Sequence, residues 1–241
     1  MCELTILMPC LNEASTVGSC VNKAMQFLRD KRIDGEVLVV DNGSLDQSAD
    51  IAKASGARVV FKKEKGYGNA LRHGIRNAYG KYIIMGDCDE SYDFLELMPF
   101  VEQLRDGRDL VMGNRFAGRM EPGAMPFHRK YIGNPILSGI ARLLFHSRVK
   151  DFHCGLRGFS KESVLQLNLQ TTGMEFATEM VAMAELMGQD IGQVPISYRR
   201  DGREGGSHLR CIRDGMRHIC YMVGKWSQVR KSAVSSVSTD N

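Results

Sequence analysis

A chain of 241 residues, 43% hydrophobic and 25% charged, has the apolar content for a sizeable core and is not the composition of a disordered protein. No apolar run approaches the roughly 18 residues that a membrane-spanning helix needs. The opening "MCELTILMPCLNE" (1–13) enters a strand pattern without a basic leader or a cleavage site, so no signal peptide is expected.

The first apolar run, "LTILMP" (4–9), is followed by Val17, Val21, Met25 and Leu28 at helical spacing. Further strands are expected at 36–41, 57–61, 82–87, 109–114 and 193–198. Helix-period segments fit 46–55, 69–79, 94–105, 135–147 and 173–187. Such alternation predicts an α/β fold around a mostly parallel central sheet flanked by helices. The expected boundaries are 1–208 for this domain, 209–231 for a basic amphipathic helix and 232–241 for a disordered polar tail.

The net charge of +4 is unevenly placed. Residues 199–231 hold nine Lys/Arg against three acids, leaving −2 for everything else. Seven cysteines contain no CxxC pair, which suits a reduced cytoplasmic protein with structural thiols.

Three of the expected strands end in polar clusters: "PCLNE" (9–13), "DNGSLD" (41–46) and "DCDESYD" (87–93). Ligands of open α/β sheets bind at the carboxyl ends of the strands, and all three clusters would open there. Carboxylates crowded at the end of a core strand repel one another and resist desolvation, so something positive must compensate them. Asp87 and Asp89, two apart, can reach one hard cation, and oxygen ligands suit Mg²⁺ or Mn²⁺ holding a diphosphate. The glycines of "KGYGNALRHG" (65–74) would let backbone approach a ligand at a helix start, although the spacing is neither GxGxxG nor a P-loop.

Together "MPCLNEASTV", "VVDNGSLDQSADIA", "KGYGNAL" and "GDCDESYD" resemble glycosyltransferase family 2, which has the GT-A fold. "VMGNRF", "HRKYIGNPIL", "DFHCGLRGF", "EFATEMVAMA" and "VPISYRRDG" extend the resemblance to the polyprenyl-phosphate sugar transferases, of the dolichyl-phosphate mannose synthase kind, over roughly residues 3–210. The resemblance implies metal-dependent, inverting transfer from a nucleotide-diphosphate sugar of the GDP-mannose or UDP-glucose type. It implies a nucleotide-sugar pocket lined by Pro9, Asn12, Glu13, Asp41, Ser44, Gly66, Asn69 and Asp87, with Asp87 and Asp89 on the metal. Asp89, Arg115 and Arg157 become the catalytic candidates. Arg115, Arg129, Arg200 and Arg203 become candidates for the acceptor phosphate. Ser91 replaces a glutamine that contacts the metal in some relatives, leaving the third ligand open. "REGGSHL" (203–209) shortens the usual arginine–glycine–serine–lysine segment, with His208 where lysine is common.

A hydroxyl acceptor needs a general base, and beyond the DxD segment the candidate is Glu179, four residues from Glu175; a solvated carboxylate or a partner for Arg157 are the other readings. A polyprenyl phosphate is already ionised and needs cations instead. Leu209, Ile212, Met216, Ile219, Met222, Val223 and Trp226 lie near one helical face amid basic residues, a pattern that suits the anionic cytoplasmic face of a membrane. "NPILSGIARLLF" (134–145) adds a second apolar face, and packing onto the domain or another subunit of a homo-oligomer is the competing reading. Two other functions remain open: a soluble transferase with a small phosphorylated or hydroxylated acceptor, and a catalytically idle nucleotide-binding subunit. Nucleic acid is not expected, since no recognition motif accompanies the basic segment.

Overall fold

A computed structural model describes residues 2–203 and 211–238. Seven strands form one sheet: β1 (Leu4–Cys10), β2 (Gly35–Asp41), β3 (Arg58–Phe61), β4 (Tyr82–Met85), β5 (Leu110–Asn114), β6 (Arg157–Ser160) and β7 (Ile191–Pro195). Their order is β3-β2-β1-β4-β6-β5-β7. All neighbours pair in parallel except β6, which runs antiparallel to β4 and β5.

The helices are α1 (Val17–Asp30), α2 (Ser48–Ala54), α3 (Tyr67–Asn77), α4 (Met98–Arg105), α5 (Asn134–Phe145), α6 (Lys161–Gln166), α7 (Phe176–Leu186) and α8 (Cys211–Ser238). A π-helical turn, Arg129–Gly133, leads into α5. Alternation along β1 divides the core. Leu4, Ile6, Met8 and Cys10 face Val17, Val21 and Phe27 of α1 and Phe100 and Leu104 of α4. On the opposite side Leu7 joins Leu71 and Ile75 of α3, Phe145 of α5 and Met180 of α7. The strands are apolar on both faces because helices cover both, as parallel sheets require.

The expected strands and principal helices are all present, with shifted ends. β6 and α6 are additional. The β6 sequence "RGFS" offers four residues, one of them glycine and one arginine, so no periodicity announces it. α8 continues through Ser238, past the expected boundary at 231. Residues 239–241 lie outside the described ones.

The order of strands reverses between β1 and β4, which are neighbours although β2 and β3 intervene in sequence. That switch point is where a doubly wound sheet opens a crevice. Gly74 sets how closely α3 approaches it: a Cβ there would lie 2.4 Å from Leu7 Cδ1 and 2.8 Å from Val40 Cγ2. Gly74→Ala should overpack this contact and cost about 1–3 kcal/mol, read as a lower urea midpoint with unchanged slope.

Candidate active site

The loops after β1 and β2 are stitched into one rim. Asn12, at φ 56°, accepts from the Leu45 amide at 2.8 Å through its side-chain oxygen, and its own amide donates to Ser44 Oγ at 3.0 Å. The Glu13 amide donates to Ser48 Oγ at 2.7 Å, and the Ala14 amide to Asp46 at 3.1 Å. Asp46 therefore does more than hold the start of α2, where it accepts from the Ser48 amide at 3.0 Å. Asp41 accepts from the Gly43 and Ser44 amides through Oδ1, while its buried Oδ2 has no hydrogen-bond partner among the described residues. An orphaned, buried acceptor is costly unless something donates to it.

Asn42, which the motif reading passed over, fixes the third loop. It donates to the Lys62 and Glu64 carbonyls and accepts from the Gly66 amide at 2.7 Å. Gly66 and Gly68 were expected to bring backbone to a ligand, and the structure assigns them another neighbour. A Cβ on either would lie 2.3–2.4 Å from the carbonyl oxygens of Thr172 and Thr171, so these glycines admit the 171–172 segment. Asn69 lies beside them, its amide donating to the Thr172 carbonyl at 3.3 Å. Pro9 is the penultimate residue of β1, its carbonyl accepting from the Cys88 thiol.

At the end of β4 the four acids have each found a partner. Tyr67 donates its phenol to Asp87 at 2.9 Å. Asp89 Oδ1 accepts from the Ser91 amide at 3.0 Å and the Ser91 hydroxyl at 2.5 Å, while Oδ2 pairs with Arg203. Glu90 lies 3.8 Å from Lys23, and Asp93 pairs with Arg199 at 2.5 Å. Arg203 Nε also stands 2.9 Å from Glu13 Oε1, an ion-pair distance without hydrogen-bond geometry. The compensating charge that the crowded carboxylates demand is thus supplied in part by the chain itself.

The arginines differ in what they meet. Arg157 is fully buried and donates to the carbonyls of Cys154, Ala177 and Phe152 at 2.6–2.9 Å. Expected as a catalytic group, it instead braces the loop before β6, and burial lowers its pKa. Arg115 makes a bidentate, buried pair with Asp151 at 2.7 and 2.8 Å and lies 5.3 Å from the Tyr198 ring centroid. Arg200 donates to the Pro122 carbonyl at 2.8 Å and is directed at the 121–123 loop. Arg203 alone of these joins Glu13 and the DxD pair. Arg129 begins the π-helical turn, and its side chain lies outside the described residues, as does His208.

Glu179, the candidate base, is already engaged. Glu179 accepts from the Gln170 and Thr171 amides and the Thr171 hydroxyl, and Glu175 pairs with Arg217 of α8 at 2.6 Å. Among the described residues no three His, Cys, Asp or Glu gather into a complete cation cage. The donor set is two neighbouring carboxylates, which fits a hard cation that takes its remaining ligands from a diphosphate.

The three acidic strand ends, though not the arginines of 199–203, fall where a family model described as glycosyl transferase family 2 matches, residues 5–167. The chain belongs to glycosyl transferase family 2. Within the family, the low-salt glycan biosynthesis hexosyltransferase Agl6 of Haloferax volcanii is 38% identical over 91% of this chain. The chain spans 53% of that relative's length. The dolichyl-phosphate hexose transferase of the same organism is 30% identical over 84% of this chain and 85% of its own length. The fold is that of GT-A enzymes: glucosyl-3-phosphoglycerate synthase from Mycobacterium tuberculosis, solved with Mn²⁺, UDP and phosphoglyceric acid, superposes with a TM-score of 0.72 at 22% identity. That match covers 93% of this chain and 78% of the other.

Burial pushes the Glu13 carboxyl from 4.5 up to about 7, against the pull of Arg203. Burial, then the adjacent Asp89 charge, pushes Asp87 from 3.8 up to about 6. Both acids therefore keep protons in the folded chain at pH values where the unfolded chain has lost them. Their contribution favours folding below the ordinary carboxylate range and is lost as pH rises through about 4 to 7. Urea midpoints should accordingly fall across that window, and Glu13→Gln should flatten the fall by raising the midpoint at pH 8 while leaving pH 4 nearly unchanged.

Proposed function

We propose that the chain transfers a hexose from a nucleotide-diphosphate sugar to a polyprenyl phosphate, with inversion and with Mg²⁺ or Mn²⁺ on Asp87 and Asp89. The observation that carries this reading is the convergence of the orphaned Asp41 Oδ2, the Asp87/Asp89 pair and the Asn12–Ser44 rim at one sheet edge. A buried carboxylate oxygen without a donor suits an N–H on the edge of a nucleobase. Pro9, Gly66 and Asn69 complete the walls around it. A bound cation would screen the two carboxylates and stabilise the departing diphosphate.

The acceptor follows from what surrounds the sugar position. Glu179, the candidate base, already accepts from the Gln170 and Thr171 amides and the Thr171 hydroxyl, whereas a phosphate monoester arrives ionised and needs no base. One phosphate oxygen forms the new bond to the anomeric carbon from the face opposite the diphosphate, as the bond from that carbon to the diphosphate oxygen breaks. Arg129, Arg200 and Arg203 are the cations offered for that phosphate, and Arg115, clamped by Asp151, contributes fixed positive charge beside Tyr198.

A lipid acceptor is supported by an apolar strip. Phe127, Tyr131, Ile132, Ile136 and Leu143, on and before α5, are each more than half exposed, as is Met216 of α8. Met222, of the same apolar set, is buried, so only part of that set on α8 is available to a membrane. Among the described residues no helix is long and apolar enough to cross a membrane. On the exposed apolar strip we propose contact with the cytoplasmic face of a membrane. A relative that carries the name dolichyl-phosphate hexose transferase lends further support.

Incubation with radiolabelled nucleotide sugars, Mn²⁺ and a polyprenyl phosphate in detergent should move label into the organic phase. Label consumed but retained in water would favour a small soluble acceptor, and absence of consumption would favour an idle nucleotide-binding domain. Asp89→Ala should lower lipid-linked product by about 10²–10⁴-fold, by analogy with removal of other electrostatic groups at transition states. Full activity in that variant, with undiminished metal dependence, would overturn the assignment.

A further inference from the structure

Residues 199–203 form a strap across the DxD loop. The Arg199 amide donates to the Ser91 carbonyl and the Gly202 amide to the Asp89 carbonyl, each at 2.9 Å. Gly202 is pressed close: a Cβ there would lie 2.7 Å from Glu90 Oε2. Asp201 accepts from the Arg203 amide at 2.9 Å, which turns the strap inward. The Arg203 side chain is only 14% exposed and ends between Asp89 and Glu13.

Both oxygens of Asp89 are engaged. Oδ1 is held from two directions by Ser91, within the same short loop. Oδ2 is the exchangeable one, and it belongs to Arg203. A divalent ion on that oxygen would meet a guanidinium of like charge at contact distance, and the two cannot share it.

We infer that Arg203 is a tethered competitor for the cation seat on Asp89, and that it couples metal binding to nucleotide binding. The inference rests on the reading of Asp87 and Asp89 as metal ligands. A metal arriving alone must displace Arg203, which then keeps Glu13 and Asp201 as its near acidic neighbours among the described residues. A metal arriving with a diphosphate brings a new anionic partner for the released guanidinium. The competition is therefore relieved by the nucleotide, and metal and nucleotide raise each other's affinity through one side chain.

The sign of the effect separates this role from a structural one. Loosening the site would weaken metal binding, whereas removing a competitor strengthens it. Free Mn²⁺ can be followed by its electron paramagnetic resonance signal during titration of wild type and Arg203→Gln, with and without UDP or GDP. Without nucleotide, the variant should bind Mn²⁺ about fivefold to tenfold more tightly, the scale of one partly buried ion pair. Nucleotide should then improve Mn²⁺ affinity less in the variant than in wild type. Arg203→Lys, which cannot span both acids, should fall between the two and serves if the glutamine variant does not fold. Equal or weaker Mn²⁺ binding by the variants overturns the competition while leaving the metal reading intact. Absence of Mn²⁺ binding by every protein, with either nucleotide present, overturns both.

Discussion

Negative charge concentrated at one edge of the sheet is the constraint around which this molecule is arranged. The parallel register of β1, β2 and β4 brings Glu13, Asp41, Asp87 and Asp89 to the same crevice, and carboxylates removed from water need compensation. Each solution visible in the fold is local and different. A phenol serves Asp87, two amides serve Asp41, a guanidinium serves Asp89, and Glu13 shares that guanidinium while its own pKa climbs. Asp41 Oδ2, a buried acceptor without a donor among the described residues, marks where the chain leaves the compensation to something else.

Behind that edge lies a scaffold of buried arginines. Arg157 gathers three carbonyls from the 152–154 loop and α7, and Arg115 is clamped by Asp151 of the same loop. Tyr92 accepts from the Gly155 amide at 2.8 Å, closing the loop against the DxD segment. The same loop carries His153, which meets Thr178 of α7, and Thr178 in turn meets His218 of α8 at 2.7 Å. One short stretch, Asp151–Arg157, thereby joins the sheet edge to the helix that carries part of the exposed apolar surface.

The strands and most helices were legible because burial imposes a period on sequence, and the three acidic strand ends were legible because carboxylates are out of place there. β6 was not legible, since a four-residue strand buried on both faces carries no alternation to read. Arginine roles were the least legible. Sequence distinguishes Arg157 from Arg203 only by neighbours, whereas the fold sends one into the interior and the other across the crevice. The glycines of 66 and 68 show the same limit: their sequence suggests room for a close neighbour, and only the fold shows the backbone at Thr171 and Thr172 against them. Asn42 gave no signal beyond being an asparagine after a strand, a residue type that turns use freely.

The position of β6 also dictates how the protein can be assembled. Met85 pairs with Arg157 and Tyr82 with Ser160, so β4 waits for a strand more than seventy residues further along the chain. Until then β3-β2-β1-β4 is a half-sheet whose β4 edge, apolar and unpaired, is a template for any other strand in reach. During synthesis β5 emerges first but must leave a strand's width for β6, a long-range order of events that slows folding. The crevice residues on β1, β2 and β4 are therefore all made well before the strand that completes their sheet. A chain interrupted shortly before residue 157 would hold nearly the whole donor-side motif set and still present an open, aggregation-prone edge beside it.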